Sequence, residues 1–378
     1  MMGPLQGLRV LELGGIGAVP FAGMLLSDLG ADVIRIERSR QVSPMNRMDP
    51  SARGKQSIAL NLKNPGAATA VLKIVSTVDA VIEGFRPGAL ERLGLGPEPC
   101  LKVNPALVFG RLTGWGQAGP LAQAAGHDIN YIALNGALHA MGHSGGRPTI
   151  PLNLIGDMGG GGMLMALGVM AALLSARETG VGQVVDAAMT DGSALMMWMA
   201  HGFSAAGFHD PARPGTNLLD GGAPFYNTYA TSDGKWVAVG ALESPFFREL
   251  LQRLDIKEFA PDEQMNPGTW AELSERLTET FKQRTRDEWC ALLEGTDACF
   301  APVLSLAEAP SHPQHAARGA YIEVDGFAQP APAPRFSATP VCVRHGAKAP
   351  GEDSQQVLSE AGFTEEEIHA LRDSGIVL

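Results

Sequence analysis

Residues 8–37 read LRVLELGGIGAVPFAGMLLSDLGADVIRIE. Leu8–Leu13 is a short apolar run, which predicts a buried strand. Gly14-Gly15-Ile16-Gly17 predicts a tight loop, and Phe21–Leu29 a short amphipathic helix that Gly30 stops. Ala31–Glu37 then predicts a second strand. Strand, helix and strand within thirty residues make a βαβ unit, which requires a parallel pair and a right-handed crossover. Ala80-Val81-Ile82, Leu107-Val108-Phe109 and Val184–Ala187 add strands. Met163–Arg177 and Gly192–Ala200 add helices. The fold class is α/β.

The character of the chain changes near residue 205. His209–Pro224 is rich in Gly, Pro, Asp and Asn, as a linker is. Phe225–Thr231 and Lys235–Val239 predict a hairpin around Ser232-Asp233-Gly234. Helices follow at 245–254, 270–283 and 286–294. The expected division is a large domain of residues 1–205 plus about 325–378, a linker at about 206–224, a smaller α+β domain at 225–310, and a returning linker at about 311–324. Pro310–Pro350 is Pro-rich and expected to run extended over the large domain. Two helices, near 353–361 and 365–373, close the chain.

Composition narrows the function classes. The chain has 378 residues, is 45% hydrophobic and 18% charged, and has a mean hydropathy near zero. That is enough apolar surface for a substantial core. Met1–Leu5 lacks the basic and apolar regions of a secretory leader. The longest apolar run, Met163–Leu174, falls short of the about 20 residues that span a bilayer, so it is expected to be a buried helix. Cys100, Cys290, Cys299 and Cys342 have no paired spacing, which predicts free thiols and a cytoplasmic setting. The net charge of −11 disfavours nucleic acid and anionic membrane as partners. The balance is uneven: residues 1–92 hold 11 Lys and Arg against 8 Asp and Glu, so the negative excess lies elsewhere. The N-terminal part is suited to an anionic ligand.

Several motifs fail on inspection. Gly15-Ile16-Gly17-Ala18-Val19-Pro20 matches two glycines of a dinucleotide fingerprint, with Glu37 twenty residues beyond Gly17. The third glycine is Pro20, too large for close helix–strand packing, and Arg38 suits a phosphate better than a ribose. Gly142-His143-Ser144-Gly145-Gly146 spells a nucleophile elbow without the strand before it or the helix after it. His139/His143 and His312/His315 lack further ligands, so no metal is expected. Eight of the fifteen methionines lie between residues 158 and 199. They serve either as core or as a soft surface for acyl chains.

Two segments carry the chemistry: Gly126-His127-Asp128-Ile129-Asn130-Tyr131 and Asn153-Leu154-Ile155-Gly156-Asp157-Met158 with Gly159–Gly162. One offers an imidazole, the other a carboxylate. Asp157 would cap the helix running to Arg177, and the glycines would let a ligand approach its N–H groups. Such a pair can remove a proton from one face of a carbon and return it to the other.

The chain resembles the α-methylacyl-CoA racemases, the bacterial branch in particular, of the family III CoA-transferase superfamily. The matching stretches are GLRVLELGGIG (7–17), DLGADVIRIER (28–38), EGFRPGALERLGLGPE (83–98), RLTGWGQAGP (111–120), GHDINYIALNGALHAMG (126–142), PLNLIGDMGGG (151–161), GQVVDAAMTDGS (182–193) and DGGAPFYNTY (220–229). The resemblance covers Gly3 to about Pro340. The resemblance implies a Rossmann-like large domain, a smaller α+β domain and an intertwined homodimer whose site is shared between chains. It implies His127 and Asp157 as the acid/base pair, with Glu243 orienting the imidazole. Asn153 and Asp128 would support them, beside Gly126, Ile129, Asn130 and Tyr131 of the same motif. Arg38, Leu60, Asn61, Leu62, Lys63, Gly84, Phe85, Arg86, Pro87, Gly88 and Arg92 would hold the CoA nucleotide and phosphates. No cofactor is expected, CoA being part of the substrate. Asn61 stands where relatives often carry Asp, and Met158 where an aromatic is common.

The expected reaction is epimerisation of 2-methylacyl-CoA by 1,1-proton transfer through an enolate. The rival is CoA transfer, with Asp157 as nucleophile forming a mixed anhydride. His127 and Glu243 separate the two, since transfer does not need the imidazole. A non-catalytic acyl-CoA carrier would keep the arginines without needing both His127 and Asp157.

Overall fold

The computed structural model describes residues 3–38 and 48–378. Met1 and Met2, where the leader reading began, lie outside them. The chain divides into two compact units. The first comprises Met1–Asn135, Pro151–Met196 and Ala317–Leu378, and the second Gly136–Ile150 and Met197–Ala316.

The first unit is built on six parallel strands: β1 (Arg9–Leu13), β2 (Asp32–Glu37), β3 (Gln56–Ala59), β4 (Ala80–Glu83), β5 (Val108–Thr113) and β6 (Gln183–Ala188), in the order β3-β2-β1-β4-β5-β6. The βαβ unit is β1, the helix Ala18–Asp28 and β2, with Arg9 to Leu13 in register with Asp32 to Ile36. The helix starts three residues earlier than expected. Pro20 sits in its first turn, where its missing N–H costs nothing. Strand β3 is the one the sequence hid, because Gln56-Ser57-Ile58-Ala59 is short and mixed in polarity.

Both faces of the sheet are covered, as parallel sheets require. Leu11, Leu13, Ile34, Ile36 and Ile58 point to one side, with the helix Ala67–Val75 and the C-terminal residues Val357, Leu358 and Ile368. Val10, Val33, Ile82 and Val108 point to the other, against Ala18–Asp28 and the helix Leu164–Thr179. Alternation along each strand sends neighbours to opposite layers. Helix and sheet come close at Gly110, where a Cβ would lie 2.6 Å from Met165 Sδ.

The helix Leu164–Thr179 continues without a break from π-helical turns at Leu154–Met163. The whole Leu154–Thr179 segment is 26 residues long and apolar enough, by length and composition, to cross a membrane. The apolar run is therefore longer than expected and not simply buried. Val169 and Leu173 face the sheet, while Leu167 is 61% and Leu174 66% exposed. The methionines divide likewise: Met165 is buried, whereas Met163, Met196 and Met199 are exposed.

The C-terminal part of the first unit begins with a hairpin, Tyr321–Val324 with Phe327–Pro330. An irregular segment then ties to the sheet domain: Gly3 N–H donates to Pro340 O, and Gly54 N–H to His345 O. Arg344 donates to the Ala31 and Gly54 carbonyls. The helix Ser354–Glu360 packs beside β3, where Asp353 accepts the Ser57 N–H.

The second unit has a three-stranded antiparallel sheet, Tyr226–Ala230, Trp236–Gly240 and Phe300–Val303, the last strand adding to the expected hairpin. The helices Ser244–Arg253, Pro267–Phe281 and Arg286–Leu293 pack on a core of Phe225, Phe247, Phe281 and Trp289. The helix Trp198–Ala205, read with the large domain, belongs to this unit. The Gly/Pro-rich stretch before the sheet is organised around Asp220, whose carboxylate accepts the Gly215 and Asn217 N–H groups.

Candidate active site

The strand order reverses between β1 and β4, and the crevice outside their carboxyl ends is where such sheets bind ligands. The loops leaving these strands touch. A Cβ on Gly14 would lie 2.5 Å from Phe85 Cζ, and one on Gly84 2.8 Å from Val19 Cγ2. Gly14 also holds φ +62°, open chiefly to glycine. Glu83, fully buried at the end of β4, accepts the Phe85 N–H at 2.7 Å and the Arg111 Nε–H at 2.8 Å, which fixes the second loop. Burial raises the Glu83 pKa, and Arg111 opposes the rise.

A cavity of about 440 Å³ opens at this crevice, and both His127 and Asp157 line it. Its other walls include Ile16, Arg38, Gly84–Pro87, Trp115 and Tyr131. A larger cavity of about 700 Å³ lies along the returning tail between Gly319 and Gly346 and contains neither group.

His127 precedes the helix Asp128–Leu134, and its own N–H donates to the Asn130 side chain at 3.0 Å. That bond sets the entry angle of the chain and leaves the imidazole at the cavity. Tyr131 supports the turn from behind. Its hydroxyl donates to Gly126 O, and its ring meets Trp115 edge-to-face at 4.8 Å. Gly114 and Gly126 make room for this ring; a Cβ on either would overlap it.

Asp157 is not the helix cap that the sequence suggested. It lies inside the π-helical turns, with Asn153 at the N-cap position. Its Oδ2 accepts from Asn153 Nδ2 at 3.2 Å, and its backbone N–H donates to Asp128 Oδ2 at 2.7 Å. The Asp157 pKa is raised, chiefly by burial and further by the Asp128 charge, while Asn153 and His127 oppose the rise. A carboxyl pushed toward its neutral form can serve as acid as well as base.

Gly159–Gly162 do not open toward a ligand either. A Cβ on Gly160 would lie 2.5 Å from Ser193 N, and one on Gly162 2.6 Å from the Phe21 ring. These glycines let the segment bearing Asp157 press against the helices Met189–Met196 and Ala18–Asp28.

The other expected residues separate into groups. Arg38 and Gly84–Pro87 reach the cavity, and Arg38 lies over the Phe85 ring at 5.7 Å. Gly88 caps the short helix that carries Arg92, beside that loop. Leu60–Lys63 are not on the cavity wall. Leu60 is fully buried against the C-terminal segment, and the Asn61 N–H donates to Ile376 O. Ile129, Asn130 and Asn153 are exposed near His127 and Asp157. Glu243 belongs to the second unit, exposed at the start of the helix Ser244–Arg253. Glu37, the would-be ribose acid, is occupied by Arg35 at 3.1 Å. The His312 and His315 rings engage Glu294 and the Ala309 carbonyl. Trp115 went unnoticed in the sequence; its signal is the Gly114-Trp115-Gly116 triplet, an aromatic between glycines.

A second cavity, about 670 Å³, shares Gly15 and Ile16 with the first. Its walls include Pro20, Phe21, Met24, Met48 and Met158. Ile16, between the two, is 97% exposed. The arginines at its edge are already paired, Arg53 with Asp28 at 2.6 Å and Arg35 with Glu37.

A nucleotide-type crevice at the switch point of a parallel sheet, with an imidazole and a carboxyl on its walls, defines an α/β protein equipped for acid/base or nucleophilic chemistry. The chain belongs to CoA-transferase family III, whose model matches residues 5–354. It is 42% identical over 377 residues to an alpha-methylacyl-CoA racemase of Mus musculus, covering 99% of this chain and 97% of that one. It is 32% identical over 398 residues to a succinyl-CoA–D-citramalate CoA-transferase of Chloroflexus aurantiacus, covering 99% and 98%. A crystal structure of a CAIB/BAIF family protein from Brucella suis superposes with a TM-score of 0.81 at 28% identity, covering 96% of this chain and all of that one.

Proposed function

We propose that this protein is an isomerase that epimerises 2-methylacyl-CoA thioesters at the α-carbon by 1,1-proton transfer. The observation that carries the reading is that His127 and Asp157 line one cavity at the switch-point crevice. An α-proton next to a thioester is weakly acidic, so its removal needs a base on one face, and inversion needs an acid on the other to return a proton to the enolate. One residue begins neutral or anionic while the other is protonated, and turnover exchanges these states. The raised pKa of Asp157 suits a group that must hold a proton for part of the cycle.

Arg38 and Arg86 would meet the CoA phosphates, for which the guanidinium fork is well shaped. The acyl chain would pass Ile16 into the methionine-lined cavity, where no unpaired charge on the arginines competes for it. The shared site of an intertwined homodimer would bring Glu243 of a second copy toward His127. The large apolar side chains of Met163, Leu167, Leu174, Val184 and Leu195, each exposed in a single chain, support burial against another subunit.

The racemase relative favours this chemistry over CoA transfer, and so does the imidazole, which a mixed-anhydride route does not use. The test is incubation of each 2-methylacyl-CoA epimer in deuterated water. Epimerisation with deuterium entering the α-carbon is expected, and His127→Ala and Asp157→Ala should each abolish it. Retention of the α-hydrogen while CoA moves to an added carboxylate would overturn the reading in favour of transfer.

A further inference from the structure

His127 and Asp157 sit on different segments, and a working racemase must hold them at a fixed separation. One side chain ties those segments together. Asp128 follows His127 directly, is 4% exposed, and accepts the Asp157 backbone N–H at 2.7 Å through Oδ2. The junction is tight: a Cβ on Gly156 would lie 2.8 Å from that oxygen and 3.2 Å from Asp128 Cα. The other oxygen, Oδ1, is buried without a hydrogen-bond partner among the described residues. A half-paired buried carboxylate is costly, and an asparagine would satisfy the same N–H. The retained charge points to a second use beyond the contact.

We propose that Asp128 is a positioning residue that fixes the spacing of His127 and Asp157 and, through its negative charge, favours the protonated form of the Asp157 carboxyl. The proposal rests on the racemase reading of this site. Geometry supplies the first effect, since the Asp128 peptide moves with His127 and its carboxylate moves with Asp157. Electrostatics supplies the second, since like charges in a half-buried site disfavour joint ionisation. Among the described residues, the titratable groups acting electrostatically on Asp157 are Asp128 and His127. Tyr131 and Arg86 share its cavity. The elements packed behind it bring Asp191 on Met189–Met196 and Asp186 on β6, the latter accepting the Gln117 N–H.

The test compares Asp128→Asn, which keeps an acceptor and loses the charge, with Asp128→Ala, which loses both. The readouts are the pH dependence of kcat/KM for α-proton exchange and the titration of the Asp157 carboxyl by carbon-13 NMR, assigned with Asp157→Asn. Asp128→Asn should retain kcat within about tenfold, while the acid limb of the profile and the NMR midpoint both fall by about one pH unit. For epimerisation the limb must fall equally for both epimers, because the equilibrium constant fixes the ratio of their epimerisation kcat/KM values. Asp128→Ala should lose about 10- to 100-fold in kcat, with KM changed much less. Unmoved midpoints in Asp128→Asn, or wild-type kcat in Asp128→Ala, would overturn the proposal. Should the wild-type protein exchange no α-proton at all, the racemase reading fails, while the NMR titration still decides whether Asp128 controls Asp157.

Discussion

Gly160→Ala adds one methyl group, three residues beyond Asp157, and the structure fixes what it meets. The new Cβ would lie 2.5 Å from Ser193 N, 2.9 Å from Met189 O and 3.1 Å from Gly192 C. All three are backbone atoms of the helix Met189–Met196, so no side chain can swing aside. An ordinary contact of 3.4 Å requires the two segments to part by about 0.9 Å. Overpacking of this kind costs about 1–3 kcal/mol. In a unit of this size that lowers Tm by about 2–10 °C. The displacement also moves Asp157, and if that carboxyl acts in the proposed proton transfer, a misplacement near 1 Å is worth about 10²-fold in rate. The assay is thermal unfolding together with deuterium exchange into a 2-methylacyl-CoA. Gly202→Ala is the control: its Cβ meets nothing within 4 Å, and Gly202 lies inside the helix Trp198–Ala205. That variant should keep its activity and gain up to about 1 kcal/mol from helix propensity. Gly160→Ala with unchanged Tm and unchanged exchange would refute the packing argument and, with it, the claim that these glycines set the position of Asp157.

The raised pKa of Asp157 has a stability consequence of definite sign. A folded-state pKa above the unfolded one means that the native protein binds the extra proton, so stability declines as pH rises from the ordinary carboxylate range through the raised value. Asp157→Asn should therefore be inactive yet more stable than wild type at pH 8, the difference vanishing in acid. Equal unfolding midpoints at pH 8 would count against a strained carboxylate. Arg86→Ala should raise KM for the CoA ester about tenfold or more while changing kcat less, as loss of a phosphate contact does; a kcat defect at unchanged KM would place Arg86 in the chemistry instead. Sedimentation equilibrium at micromolar concentration should return twice the 39.8 kDa chain mass, and an active monomer would contradict a shared site.

The parallel sheet, its first crossover and the second unit's hairpin were legible in the sequence because each rests on local signals. Branched apolar runs of strand length, glycine stops and a Ser-Asp-Gly turn act within a few residues. His127 and Asp157 were legible as chemistry, each beside glycine. Their setting was not. The sequence could offer Asp157 as a cap because Gly159–Gly162 look like a helix start, whereas the fold continues the helix back to Leu154. The reason lies in long-range packing: the glycines are spent on the close approach of two other helices, information held by Ser193, Met189 and Phe21 rather than by neighbours in the chain. The resemblance offered Leu60–Lys63 to the ligand, and it could not show that Leu60 and Asn61 also join the C-terminal segment three hundred residues away. Strand β3 likewise forms because β2 offers it a free edge. Residue pattern thus determined the layers and the candidate proton carriers. Only the tertiary structure decided which glycines serve packing, that Asp128 bridges the two reactive segments, and that the cavity gathers Arg38, Arg86, His127 and Asp157, since those contacts depend on strand order and not on spacing along the chain.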